Sequence, residues 1–183
     1  EVVRSYHGGA ITAEEVVEIV LEIYDRGTLD ELVAEWSQID WLAPRMPAIR
    51  EGIDSYKDGR YFAAVCTLLP HVEGVLGDAL GRAPNAQNDA AKFFRDTPLS
   101  ATAKEYFVKV WKTGFGFGPN DPVPEMSRNA ILHGRDLSYG TKEHALRSVL
   151  VLDGVIGAVD EHRRDQAEAQ RWADDKDDSA LGE

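Results

Sequence analysis

An all-α fold is what this sequence predicts. Apolar residues recur at helical spacing through most of the chain, Thr-x-x-Glu signals open helices, and strand signals are weak throughout. Thr12-Ala13-Glu14-Glu15 reads as a capping box, in which Thr12 accepts from a free backbone N–H and Glu15 reaches back. Val16, Ile19, Val20 and Ile23 follow on one face, and Gly27 is expected to end this helix as a left-handed cap. Thr28-Leu29-Asp30-Glu31 repeats the device, and Leu32, Val33, Trp36 and Ile39 form the next stripe. Two short helices joined at Arg26-Gly27 are expected to fold back as an antiparallel hairpin.

Pro44 and Pro47 interrupt the chain near Trp41. A third helix is predicted from about Pro47 to Tyr56, stopping at Asp58-Gly59. The fourth is longer and carries Tyr61, Val65, Leu68, Leu69, Val72, Val75, Leu76, Ala79 and Leu80, with a kink expected at Pro70. A loop is expected over residues 81–88, and a fifth helix from Ser100 with Tyr106, Phe107, Val110 and Trp111 on its apolar side. The glycines and prolines between Gly114 and Pro124 exclude regular structure. A short helix then ends at Gly134, residues 135–140 form a turn, and Thr141 caps a long final helix. Beyond about Arg164 the chain turns acidic and polar, which predicts a frayed or disordered end. The resulting division is an N-terminal helical hairpin extension (1–42), a helical bundle (43–165) and an acidic tail (166–183).

The chain has 183 residues, 43% hydrophobic and 28% charged, an ordinary globular balance. No apolar stretch approaches the roughly 20 residues needed to span a bilayer, so no membrane association is expected. The N-terminus lacks the pattern of a secretory signal, and because it begins with Glu1 it leaves room for upstream sequence. The single cysteine, Cys66, sits in an apolar run and reads as a small buried hydrophobe; one thiol makes no internal disulfide, which fits a reducing cytoplasm. The net charge of −12 argues against a large nucleic-acid footprint. The charge is uneven, however: residues 92–147 carry 9 basic and 6 acidic side chains, whereas residues 1–91 carry 7 and 16.

That basic third contains Arg128-Asn129-Ala130-Ile131-Leu132-His133-Gly134. On an ideal helix, Arg128 and His133 are about 140° apart, so they share no face. A helix that stops at Gly134 lets the two side chains converge on one cleft. Cutting RNA without a metal needs a base for the ribose 2′-hydroxyl, for which histidine is poised near neutral pH. It also needs a cation for the charge growing on phosphorus, for which the planar, permanently charged guanidinium is suited. Asn129 is placed to orient the arginine.

These residues resemble the Arg-x4-6-His signature of the HEPN superfamily. Asn129 matches the polar residue that follows the arginine, and Gly134 is similar to the RNxxxHG version of Apea-like members. Tyr61 to Gly74 resembles the earlier helix of those subgroups, and Gly140-Thr141 leading to Arg147 the helix after the motif; the likeness spans roughly residues 45–162. It implies a HEPN-like helical bundle working as a homodimer with a composite site. It further implies a metal-independent endoribonuclease that leaves a 2′,3′-cyclic phosphate, with no cofactor and no metal. A role as a toxin or in phage defence, with an antitoxin or an upstream domain of a longer protein as regulator, goes with it. Carried over, Arg128, Asn129 and His133 are the catalytic set and Gly134 supports it.

Each residue also has a plainer reading. His133 can be a helix-terminal histidine in the field of the dipole, and Arg128 a salt bridge to Glu125. Glu73, on an otherwise apolar face, needs a partner and can either pair with Arg128 or another arginine and orient the site, or form a structural ion pair. His71 beside it reads as solvent-facing or as a spacer. Arg135, His144 and Arg147 are candidate RNA contacts or an exposed face. Phe115 and Phe117 either stack on a base or plug a core or an interface, and Trp36, Trp41 and Trp111 read as packing residues. The five histidines are scattered without a ligand pair, and no nucleophile elbow or phosphate loop is present. The alternative to a nuclease is a catalytically silent helical module for dimerisation or partner binding.

Overall fold

In the computed structural model, which describes residues 2–80, 93, 121, 123 and 126–180, every regular element is helical. The described elements are α1 (Val2–His7), α2 (Ala13–Ile23), α3 (Arg26–Trp36), a 3₁₀ segment (Asp40–Arg45), α4 (Met46–Lys57), α5 (Tyr61–Leu80), α6 (Arg128–Leu132) and α7 (Lys142–Ala180). The loop expected over 81–88, the fifth helix with Trp111, and Phe115 and Phe117 lie outside the described residues.

The Thr12 capping box forms in full: Glu15 N donates to Thr12 Oγ1 at 3.2 Å, and Thr12 N donates to Glu15 Oε2 at 2.7 Å. The next boundary differs from expectation. Gly27 is not a left-handed cap, and Thr28 is not an N-cap. Asp25 takes that role, its Oδ1 accepting from Thr28 N at 2.9 Å, and Gly27 falls in the first turn of α3. Aspartate is as good a cap as threonine, and its earlier position starts the helix three residues sooner. The early start brings Leu29 into the core beside Val33 and Trp36. The expected hairpin is also corrected, since α2 makes its principal contacts with α1 and α7 and buries no residue fully.

The core is built around α5, which packs along both α4 and α7. Ile49 and Ile53 of α4, Val65, Leu68 and Leu76 of α5, and Val149, Leu152 and Ile156 of α7 are all fully buried. Leu29 and Leu42 belong to the same cluster, so the core runs into the N-terminal segment. Gly52 permits the close approach of α4 and α5, because a Cβ there would sit 2.6 Å from Leu68 Cδ2. Helix α5 runs on through Pro70, which lies on its exposed face.

Helix α7 does not fray where the chain turns acidic. It continues to Ala180, and all its described residues from Arg164 to Asp174 are exposed. Alanine, glutamine, glutamate and arginine are strong helix formers, and Gln170 Nε2 donates to Asp174 Oδ1 at 2.8 Å one turn on. Among the described residues, no helix is long and apolar enough to cross a membrane.

Candidate functional site

Helix α6 is a single short turn held at both ends. Ser127, fully buried, is its N-cap, with Ala130 N donating to Ser127 Oγ at 3.4 Å. Met126 before it is buried and has φ of 56°, a left-handed conformation that costs a residue with a side chain about 1–2 kcal/mol. At the other end His133 is the C-cap, and its backbone N donates to Asn129 O at 3.0 Å. Gly134 has φ of 67°, and the N–H groups of Arg135 and Asp136 both donate to Ala130 O, at 2.7 and 3.0 Å. The helix therefore ends where the sequence predicted, with glycine taking the left-handed position.

Arg128 opens the helix and turns toward α5. Its Nη1 forms an ion pair with Glu73 Oε2, and its Nη2 donates to Asn129 Oδ1 at 3.3 Å. The Arg128 side chain is only 16% exposed, so burial pulls its guanidinium below the ordinary arginine value. Its Nε is buried without a hydrogen-bond partner among the described residues. The structure thus joins three predicted residues, Arg128, Asn129 and Glu73, across two helices. The imidazole of His133 is exposed at the far end of α6.

The remaining predicted residues lie further along the chain. Arg135 is half-buried in the segment after the motif. Thr141 caps α7 as expected, accepting from His144 N at 3.1 Å, and His144 is half-buried in the first turn. Arg147 pairs with Glu143 one turn away. His71 is not solvent-facing: it is half-buried, its Nδ1 has no partner among the described residues, and burial followed by the nearby Arg45 lowers its pKa.

Sequence reasoning missed Asp136. It is a buried carboxylate whose Oδ1 accepts from Ser138 N at 2.8 Å and Ser138 Oγ at 2.7 Å. It pins the loop that carries the chain from the motif to α7. The signal was Asp-x-Ser just after a glycine, a common self-capping turn. Tyr139 in the same loop packs edge-on against Phe62, ring centroids 5.0 Å apart, and its hydroxyl lies 3.1 Å from Cys66 Sγ. The contact with Cys66, then burial, pushes the phenol up to about 12. Cys66 is therefore half-buried and engaged with a polar atom.

Among the described residues, no group of three His, Cys, Asp or Glu side chains is placed to hold a metal ion. Compared with known proteins, the chain matches no family model, no curated protein and no solved structure.

Proposed function

We propose that this chain is a metal-independent endoribonuclease of the HEPN type, acting as a homodimer in the cytoplasm. The observation that carries the reading is the division of labour along α6. Arg128 is anchored by Glu73 and Asn129, while His133 stands exposed at the helix end. A cation that must stabilise a transition state gains from being held in place, and a base that must reach a 2′-hydroxyl gains from being accessible.

In the reaction His133 takes the proton of the ribose 2′-hydroxyl. The 2′-oxygen forms a bond to the adjacent phosphorus, the bond to the 5′-oxygen breaks, and the leaving oxygen is protonated by the second histidine of a symmetric pair. The products are a 2′,3′-cyclic phosphate and a 5′-hydroxyl. Arg128 holds the phosphoryl oxygens, and Arg135, His144 and Arg147 supply further contacts to RNA. Apolar side chains support the homodimer. Leu132 and Leu137, on either side of His133-Gly134, and Phe62, which packs on the motif loop, are all exposed. A role as a toxin or phage-defence component, restrained by an antitoxin or by further domains, belongs to the same reading.

A second reading keeps the fold and drops the chemistry. The Glu73–Arg128 pair meets the needs of a structural ion pair, and a net charge of −12 disfavours RNA, so a silent module for dimerisation or partner binding follows. The deciding experiment treats labelled mixed RNA with the protein and with His133→Ala in EDTA. Cleavage to cyclic-phosphate ends, falling about a hundredfold to ten-thousandfold in the variant, is expected of the nuclease. A folded dimer that cuts no RNA class, or a variant that cuts as well as the parent, overturns it.

A further inference from the structure

A cavity of about 570 Å³ opens between the C-terminal end of α3, the start of the 3₁₀ segment and the middle of α7. That volume is in the range of small-molecule sites. Trp36 and Trp41 line it from one side, and Asp153 and Asp160, two helical turns apart on α7, from the other. The indole N–H of Trp36 donates to Asp153 Oδ1 at 3.2 Å, and that of Trp41 to Asp160 Oδ1 at 3.1 Å. Both carboxylates are thereby held in fixed positions. Between them Gly157 leaves the helix surface bare, and a Cβ placed there meets nothing within 4 Å. Glycine weakens a helix interior, so its presence calls for a local reason, and here it widens the cavity.

The charges of the cavity do not cancel. Asp160 has Arg164 as its ion-pair partner. Asp153 forms no ion pair among the described residues; its hydrogen-bond partner is a neutral indole, and Glu35 on the same cavity wall adds a like charge. Burial first, then Glu35, pushes the Asp153 carboxyl above the ordinary aspartate range against the pull of Trp36. Asparagine in that place would keep the hydrogen bond and shed the charge. A half-buried anion in a cavity whose walls carry further carboxylates is complementary to an organic cation, which gains a counter-ion there. Trp41 already holds one organic cation from this chain, with the Arg163 guanidinium carbon 5.0 Å from its ring centroid.

We propose that this cavity binds an aliphatic polyamine, with Asp153 as the principal counter-ion. The two aspartates lie roughly 10 Å apart along the helix axis, so an extended chain with an ammonium at each end spans them, and Glu35 adds to the field. The proposal stands independently of any ribonuclease activity.

The test is a titration of the full chain with spermidine, followed by calorimetry and by the indole ¹H–¹⁵N resonances of Trp36 and Trp41. Saturable one-site binding that shifts both indole signals is expected. Asp153→Asn should weaken it by about tenfold or more, a difference of about 1.4 kcal/mol, while Glu51→Gln, an exposed acid on α4 outside the cavity, leaves it unchanged. Absence of saturable binding overturns the proposal. So does equal weakening by the two variants, which marks diffuse attraction to an acidic protein, or undiminished binding by Asp153→Asn. Asparagine retains the indole hydrogen bond, so this variant folds and its result is readable.

Discussion

Two half-buried charges in this molecule are treated in opposite ways. On α6 the Arg128 guanidinium meets a carboxylate, Glu73, and a side-chain amide. On α7 the Asp153 carboxylate meets an indole N–H and no cation among the described residues. The first arrangement is closed electrostatically, and removing either partner strands the other. The second is open, and its natural completion is a cation from outside the chain. The compensated charge belongs to a site read from a motif, and the uncompensated one to a cavity that no motif announces.

The largest effect expected is from opening the closed pair. Glu73→Ala leaves Arg128 without its ion partner and should cost about 2–3 kcal/mol, below the range for fully buried pairs because both side chains are partly exposed. Urea unfolding checks it, and the double variant Glu73→Leu with Arg128→Met should regain most of the loss. A loss below about 0.5 kcal/mol would mean that solvent already screens the pair.

The open charge should respond with the opposite sign. The folded-state pKa of Asp153 is raised, so its contribution to stability is fully present below the unfolded value and is lost as pH rises through the folded value. At pH 7 the carboxylate is therefore a cost, and Asp153→Asn should melt at a higher temperature than the parent. The gap should close as pH falls below the ordinary aspartate value of 3.8. A lower melting temperature at pH 7 would contradict this account.

A smaller effect concerns His71, two positions before Glu73 on α5, whose Nδ1 has no hydrogen-bond partner among the described residues. Its folded pKa is lowered, so stability present above the ordinary value of 6.5 is lost as pH falls from there through the folded value. Exchanging His71 for glutamine should flatten that part of the stability–pH curve. An unchanged slope would assign it to other groups. The smallest change should come from Arg147→Ala, which breaks a half-exposed pair with Glu143 one turn away and should alter stability by about 0.5 kcal/mol or less.

Much of the fold was legible because it is written locally. The Thr12 capping box, the stop at Asp58-Gly59, the Thr141 cap and the end of α6 at Gly134 each depend on a few adjacent residues, and all formed as predicted. The α2–α3 boundary failed because two competent caps, Asp25 and Thr28, stand three residues apart, and the one that buries Leu29 prevails. The acidic end of α7 departs from the expected frayed tail because helix propensity outweighs charge density there.

By itself the sequence determined the all-α class, most helix boundaries and the position of the Arg128–His133 motif, since hydrogen bonds within a turn or two specify these. Only the tertiary structure decided which partner each charge would have. Glu73 and Arg128 are 55 residues apart, Trp36 and Asp153 117, and Trp41 and Asp160 119. No local periodicity relates such positions. They meet because α5 and α7 bury their apolar faces against one another and against α4, in a core that Leu29, Val33 and Trp36 of α3 join, and that burial sets which polar side chains end up opposite each other.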